Sequence, residues 1–553
     1  MTTLHRATRW HRLETEPFDL LVVGGGINGA GIARDAARRG LATALVEARD
    51  FASGTSSRSS RLVHGGVRYL EHGWLHLVFE ASRERRTLLE IAPHLVRPLA
   101  FTWPVYRGAR VPRWKLGAGL MLYDLLALFR NVANHDRLDA HELRALEPAL
   151  RSDALTGGAR YFDAQTSDTR LTLANALDAE AAGAVVLNHA AVSALRHDAG
   201  RVVGAEVVDE QSGTRTTVRA RVVVNAAGPW SDAVRRLDDA RVTAGVRGTK
   251  GVHLMLDRTR VGNRGALTLL SPLDGRVMFI LPWGRFTIIG TTDTYDDAPP
   301  DAVRAEPQDV AYLLETANHF FPAAHLTAAD VISSWAGLRP LVASASQGAP
   351  SNASREHELV HAASGLLSIT GGKLTTYRSM SEEVVNAVEV ALGRSPSPST
   401  TASQPLPGGD FTDLAAEEAA ASAAAGDAET GAHWVAAYGT AWRRVAALVA
   451  EHPTLADRLA PPLPYRAAEV IYAARQEHAV TVGDILMRRV PIAFELADQG
   501  ASVAPRIAAL LGETLGWSPE AQRAAVDAYA IEAARVFALE VAPLAGVSSG
   551  SAM

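Results

Sequence analysis

The run Gly24-Gly25-Gly26-Ile27-Asn28-Gly29 constrains this chain more than any other stretch because of what flanks it. Leu20-Leu21-Val22-Val23, just before it, is a short continuous apolar run of the kind that forms a buried parallel strand. After it a helical pattern extends from about Asn28 to Arg39, stops at Gly40, and gives way to a second strand at Ala42 to Val46. Glu47 ends that strand. The whole is a βαβ unit of about 30 residues, and its loop fits G-x-G-x-x-G in the one context where that pattern carries weight. Glycines let a pyrophosphate approach the backbone. Free N–H groups and roughly half a positive charge at the helix N-terminus favour the phosphates, and Glu47 accepts from ribose hydroxyls. A glycine-rich turn that merely tightens packing would predict neither Glu47 nor the second strand. The unit therefore binds a dinucleotide, without saying which.

At 553 residues the chain exceeds one hydrophobic core, so two or three domains are expected. A net charge of -5 argues against nucleic acid as the principal partner. There is no cysteine, which excludes disulfides, iron–sulfur clusters, thiolate metal sites and redox dithiols. Electrons, if the chain moves them, must travel on an organic cofactor. No metal site is expected, and a reducing compartment fits. Residues Met1 to Glu16 are polar and basic with no apolar centre, so no secretory signal is expected. The longest apolar run, Leu116 to Phe129, is interrupted by Asp124 and is too short to cross a bilayer.

Further strands are predicted at Val202–Val208, Val222–Val224, Val252–Leu256, Val277–Leu281, Phe286–Ile289 and Leu366–Ile369. Helices are predicted at Leu75–Ile91, Leu171–Ala182, Asp309–Phe320 and Tyr377–Leu392. Such alternation implies an α/β body, taken here as residues 17–395. A Ser- and Pro-rich segment, 396–409, reads as a linker. Beyond it, 410–545 is alanine-rich with helical spacing and reads as a C-terminal α-helical domain.

Thr55-Ser56-Ser57-Arg58-Ser59-Ser60-Arg61-Leu62-Val63-His64-Gly65-Gly66-Val67-Arg68-Tyr69-Leu70-Glu71 follows the βαβ unit and is too polar and glycine-rich for an ordinary helix. With Gly24 to Glu47 it resembles the FAD-dependent sn-glycerol-3-phosphate dehydrogenases of the respiratory type. Val224–Trp230, Lys250–His253, Ile289–Asp293, Gly337–Leu341, Gly371–Arg378 and Ala479–Arg489 also match the family's pattern. One departure is Arg61, where some members carry lysine; the charge is kept. The resemblance implies a Rossmann-like FAD-binding domain interleaved with an α+β substrate domain, as in glucose-inhibited and amino-acid-oxidase-like flavoproteins. It implies oxidation of glycerol 3-phosphate to dihydroxyacetone phosphate, with electrons passed to a quinone or another acceptor.

By the same resemblance the cofactor contacts are Gly24, Gly26, Asn28, Gly29, Glu47, Thr55, Ser56, Ser60, Arg61, Leu62, His64, Gly65, Gly66, Val192, Ala227, Gly228, Trp230, Gly372, Lys373, Leu374 and Thr375. Arg68 and Arg339 are the substrate-side arginines, with Tyr69 beside them. A planar guanidinium meets two phosphate oxygens at once. A surface charge for Arg68 and a structural ion pair for Arg339 are the plain alternatives. His253 is the candidate proton acceptor, since imidazole titrates near neutrality, although a histidine in an apolar strand is often a satisfied core residue. Lys373 follows two glycines and is expected to stabilise the reduced flavin; otherwise it is a solvated loop lysine. Asp293 reads as a turn residue. Without cysteine the flavin is expected to be non-covalent, a histidyl link through His64 being the remaining route.

Arg107, Arg110, Arg113, Trp114 and Lys115 precede the apolar stretch Leu116–Tyr123, and Arg6, Arg9, Trp10 and Arg12 lie near the N-terminus. Basic residues and an interfacial tryptophan beside an apolar helix suit peripheral attachment to anionic lipid, against the alternative of a buried helix with a solvated flank. The expectation is a cytoplasmic protein on the inner-membrane face, with homodimer contacts a candidate use of the helical domain. Two rival functions stand beside this one: an oxidase passing electrons to oxygen, and a non-catalytic flavin-binding sensor or scaffold.

Overall fold

The computed structural model describes residues 2–128, 131–343 and 356–538, excluding the side chains of residues 2–5, 68 and 72. The βαβ unit is strand Pro17–Val23, helix Ile27–Arg38 and strand Thr43–Val46. Gly40 adopts φ 78°, and the Gly40 and Leu41 N–H groups donate to Ala37 and Ala36 carbonyls at 2.9 and 3.1 Å. The helix end is thereby satisfied, as a left-handed stop requires. Strand Pro17–Val23 lies between parallel strands Arg215–Asn225 and Thr43–Val46, with Leu367–Gly371 and Val185–Leu187 outside them. Leu20–Val23 within it are buried on both faces, which explains why they read as an uninterrupted apolar run. An antiparallel hairpin, Ala190–Asp198 and Arg201–Asp209, hangs on the long strand.

A second, largely antiparallel sheet forms the substrate side. Its long strand Val246–Asp257 pairs with Phe286–Gly290 and with Val331–Val342. Val252, Leu254 and Leu256 point into a core with Ile280, Ile289 and Leu313 of helix Pro307–Phe320. Period-two alternation then turns Thr249, Gly251 and His253 to the opposite face, where Gly251 and His253 line a cavity. Strands Val96–Tyr106, Leu155–Thr166 and Val331–Val342 were not among those expected from the sequence.

Residues 414–537 form helices, the longest being Pro519–Phe537. They are docked on the body: Phe494, Ile485 and Leu486 share one apolar cluster with Trp335 and Phe101 of the second sheet. The Ser- and Pro-rich segment is pinned along its path. Arg34 donates to the Thr401 and Gln404 carbonyls, Ser399 donates to Asp35 at 2.6 Å, and Leu406 is buried. The N-terminal arginines are also committed inward. Arg6 pairs with Asp209 at 2.7 Å and Arg9 with Glu180 at 2.5 Å, so the basic helix Thr2–Thr15 is a structural brace, correcting its reading as lipid-facing.

Candidate active site

A cavity of about 540 Å³ runs from Glu47, Arg49 and Val192, past the glycine loop, to Lys373, His253 and Arg339. At its first end the Glu47 carboxylate accepts the Gly25 N–H at 2.6 Å and the Arg49 N–H at 2.8 Å. Burial pushes this carboxyl above its ordinary range. The loop is close-packed. A Cβ on Gly24 would lie 2.8 Å from the Ala226 oxygen, and one on Gly29 would fall inside the Gly24 carbonyl. Helix Ile27–Arg38 has no side-chain N-cap; only the Ile27 N–H is engaged, by Ser56 Oγ at 3.0 Å. Its N-terminus is thus built to meet an anion.

At the other end, three strands and one loop converge. His253 lies opposite Gly290 on one neighbour and Trp335 on the other. A side chain on Gly290 would occupy the His253 ring, and one on Gly251 would occupy the Arg339 guanidinium. Those two glycines make room for the two functional groups. The His253 ring stacks on Trp335 (5.5 Å, 14°), and its Nε2 is 2.8 Å from Ser60 Oγ. Burial first, then the Arg339 and Arg61 guanidiniums, push this imidazole down to about 3. It is therefore neutral at working pH and keeps a lone pair. Arg339 lies 3.3 Å from Asp293 and donates to Thr291 Oγ1 at 3.2 Å. Lys373 sits 3.8 Å over the Tyr69 ring.

The FAD dependent oxidoreductase family matches residues 19–378, and the C-terminal domain of alpha-glycerophosphate oxidase matches 399–522. A glycerol-3-phosphate dehydrogenase of Synechocystis sp. is 39% identical over 92% of this chain and 95% of its own. The human mitochondrial glycerol-3-phosphate dehydrogenase is 38% identical over 91% of this chain and 71% of its own. The Bacillus halodurans glycerol-3-phosphate dehydrogenase, solved with FAD, superposes with a TM-score of 0.79 at 34% identity, covering 98% of this chain and 99% of that one. The chain belongs to the FAD-dependent glycerol-3-phosphate dehydrogenases.

FAD is thus the dinucleotide of this cavity, and the residues present fit it. Gly24 and Gly29 admit no Cβ, the helix has no side chain at its N-cap residue Gly26, and Glu47 sits at the end of the strand beside it. Most contacts expected for a family member line the cavity: Gly24, Gly26, Asn28, Glu47, Thr55, Ser56, Ser60, Leu62, His64, Gly66, Val192, Ala227, Gly228, Trp230, Gly372, Lys373, Leu374 and Thr375. Tyr69, His253 and Arg339 line it too.

Three do not. Gly29 lies behind the loop, where it lets the helix pack on Gly24, and Gly65 backs onto Tyr123 and Ser82. Arg61 is the larger correction. With φ 56° it turns away from its neighbours Ser60 and Leu62, and its guanidinium lies 4.2 Å over Trp283 and 5.1 Å over Phe494 of the helical domain. The Arg68 side chain lies outside the described residues. Sequence reasoning missed Asp293, which is buried beside Arg339 rather than a simple turn residue, and Arg49 and Arg58, which line the cavity. Arg49 has no motif of its own, whereas Asp293 closes a matched segment, Ile289–Asp293.

Proposed function

We propose that this chain oxidises sn-glycerol 3-phosphate to dihydroxyacetone phosphate and delivers the electrons to a quinone at a membrane surface. The observation that carries the chemistry is the meeting of a guanidinium, a neutral imidazole and an ammonium, from Arg339, His253 and Lys373, at one end of a cavity whose other end is a dinucleotide cradle. Bound FAD supplies the hydride acceptor. Arg339 holds the phosphate, each charge-assisted hydrogen bond contributing about 1.5–3 kcal/mol. Arg68, in the Gly65 to Glu71 run, is its proposed partner, with Tyr69 shaping the site. His253 takes the hydroxyl proton as C2 loses hydride, and its low basicity keeps it unprotonated beforehand. Lys373 balances the negative charge left on the reduced ring.

Anaerobic mixing with sn-glycerol 3-phosphate is expected to bleach the flavin absorbance, while glycerol and amino acids leave it unchanged. Equal bleaching by glycerol would remove the phosphate clamp from the proposal. Stoichiometric hydrogen peroxide in air would reassign the acceptor to oxygen.

The membrane part rests on one helix, Arg113–Leu126. Leu116, Leu120 and Tyr123 bury its inner face, while Trp114, Met121 and Leu125 are 73%, 50% and 52% exposed on the other. Spacings of seven and four residues put these three on one stripe. Leu75 and Phe79, on the neighbouring helix Leu75–Ile91, are also exposed. Of the basic residues, Arg110 pairs with Glu71 and Arg113 donates to the Thr156 and Leu138 carbonyls, leaving Arg107 and Lys115 as the exposed cations outside these contacts. Among the described residues no helix is long and apolar enough to cross a membrane. Attachment is thus proposed to be peripheral, on the cytoplasmic face, and more apolar than electrostatic. Cosedimentation with phosphatidylcholine–phosphatidylglycerol vesicles is expected to fall only partly in high salt and to disappear in Trp114→Glu/Leu125→Glu. Binding by that variant at the wild-type level would move the contact elsewhere.

A further inference from the structure

The helical domain has a use beyond packing. Asp50 lies three residues after Glu47, at the adenosine end of the FAD cavity, and is fully buried. Its two oxygens accept from Arg488 Nε at 2.7 Å, Arg489 Nη1 at 2.7 Å, Arg489 Nη2 at 3.0 Å and Asn188 Nδ2 at 2.9 Å. Both arginines belong to one π-helical turn, Asp484–Arg489, of the helical domain. Each is itself held from behind. Arg488 reaches Asp484 at 3.0 Å and Glu532 at 2.9 Å, and Arg489 donates to the Glu477 carbonyl at 2.6 Å. Asp484 in turn takes His189 at 3.1 Å, and the His189 N–H donates to the Arg49 carbonyl at 2.5 Å.

Residues 47–52 are thus gripped from outside by the helical domain and from inside by the glycine loop. On the inner side Glu47 accepts the Gly25 N–H, the Ala52 N–H donates to the Gly25 carbonyl at 3.0 Å, and the Phe51 ring covers the space beside Gly25. Asp50, His189 and Asp484 bring ligand atoms within 4.8 Å of one another, but the Arg488 guanidinium bridges the two carboxylates and Arg489 also pairs with Asp50, so the cluster is an ion-pair network and not a metal site.

We propose that Asp50 with Arg488 and Arg489 is a positioning clamp through which the helical domain holds the 47–52 segment against the adenosine half of FAD. None of the three lines the cavity. The clamp sets how long the cofactor stays, not how fast it is reduced.

Asp50→Asn keeps the side-chain shape and leaves Arg488 with Asp484 and Glu532, and Arg489 with the Glu477 carbonyl, so the protein retains partners for both cations. FAD release from the full-length holoenzyme, followed by the rise in free-flavin fluorescence on dilution, is expected to accelerate about ten- to a hundredfold. Added FAD is expected to restore kcat and KM to within about twofold of wild type. Arg489→Lys, which keeps one charge, is expected to fall between the two. Glu469→Gln is the control. It weakens a different buried contact of the helical domain, with His433 at 2.6 Å and the Tyr438 hydroxyl at 2.8 Å, and leaves every bond to Asp50, Arg488 and Arg489 in place. It is expected to lower the unfolding temperature with little change in FAD release. Wild-type FAD release in Asp50→Asn and Arg489→Lys would overturn the clamp. So would acceleration by Glu469→Gln equal to that of Asp50→Asn, since any loosening of the domain would then suffice.

Discussion

Arg339→Ala is expected to keep its flavin and lose most of its reduction by glycerol 3-phosphate. The residue sits near the end of strand Val331–Val342, its side chain part-exposed to the cavity and away from the glycine cradle. Removing it deletes a fork that meets phosphate through two charge-assisted bonds, about 3–6 kcal/mol in total, or roughly two to four orders of magnitude in kcat/KM. The split between KM and kcat is informative. Loss in KM alone would mean that Arg339 grips phosphate equally in ground and transition states, whereas a fall in kcat would place it beside the developing charge. A second effect has a definite sign. After burial itself, the Arg339 guanidinium is the charge that does most to hold the His253 imidazole down. Without that cation the imidazole moves up while burial still holds it below its ordinary value, so the acid limb of residual activity should lie at higher pH than in wild type. Arg339→Lys should recover part of the rate and return the limb to lower pH. Anaerobic stopped-flow reduction across pH measures all of this, and normal reduction by Arg339→Ala would take the residue out of the mechanism.

What the sequence disclosed follows the range over which each signal acts. The βαβ unit was legible because its strand, glycines, helix stop and Glu47 are contiguous, and the structure returns it with its first helix within a residue of the expected ends. The substrate-side strands were legible where apolar residues dominate a short run, as at Val277–Leu281. Val96–Tyr106 carries Pro98 and Pro104, and Val331–Val342 carries Gly337 and Pro340, residues that ordinarily argue against a strand. In the second of these Gly337 serves the site, because it lets the strand approach the Arg58 backbone. Site residues that depend on distant partners were invisible. Asp293 gains its meaning from Arg339, 46 positions away, and Asp50 from Arg489, 439 positions away. Arg61 was misassigned for a related reason. A polar run beside a cofactor reads as cofactor contacts throughout, but a single left-handed residue sends one side chain out of the other side of the segment. The Ser- and Pro-rich stretch likewise has the composition of a tether, and is held in place by Arg34 and Asp35 of the cofactor helix.

Gly29→Val is expected to abolish cofactor binding outright. The affected atoms are backbone on both sides: a Cβ at position 29 would overlap the Gly24 carbonyl, and Gly24 in turn is 2.8 Å from the Ala226 oxygen for any Cβ of its own. No flexible side chain is available to yield, so the helix must move off the strand that carries the loop. Overpacking of this kind costs about 1–3 kcal/mol in a core. Here it also displaces the N–H groups that meet the pyrophosphate, and hydrogen-bonding geometry tolerates only a few tenths of an ångström. Loss of FAD then removes the stabilisation that ligand binding confers, so the unfolding temperature should fall by more than the overpacking alone predicts. Gly119→Ala provides the contrast. That glycine lies within helix Arg113–Leu126, and a Cβ there meets nothing within 4 Å. It should stabilise the chain by about 0.5–1 kcal/mol with FAD content unchanged. Purified Gly29→Val should therefore be colourless near 450 nm and remain so after incubation with excess FAD. Recovery of the yellow holoprotein would mean that the loop accommodates a side chain at position 29, and that the cradle is less closely constrained than its packing indicates.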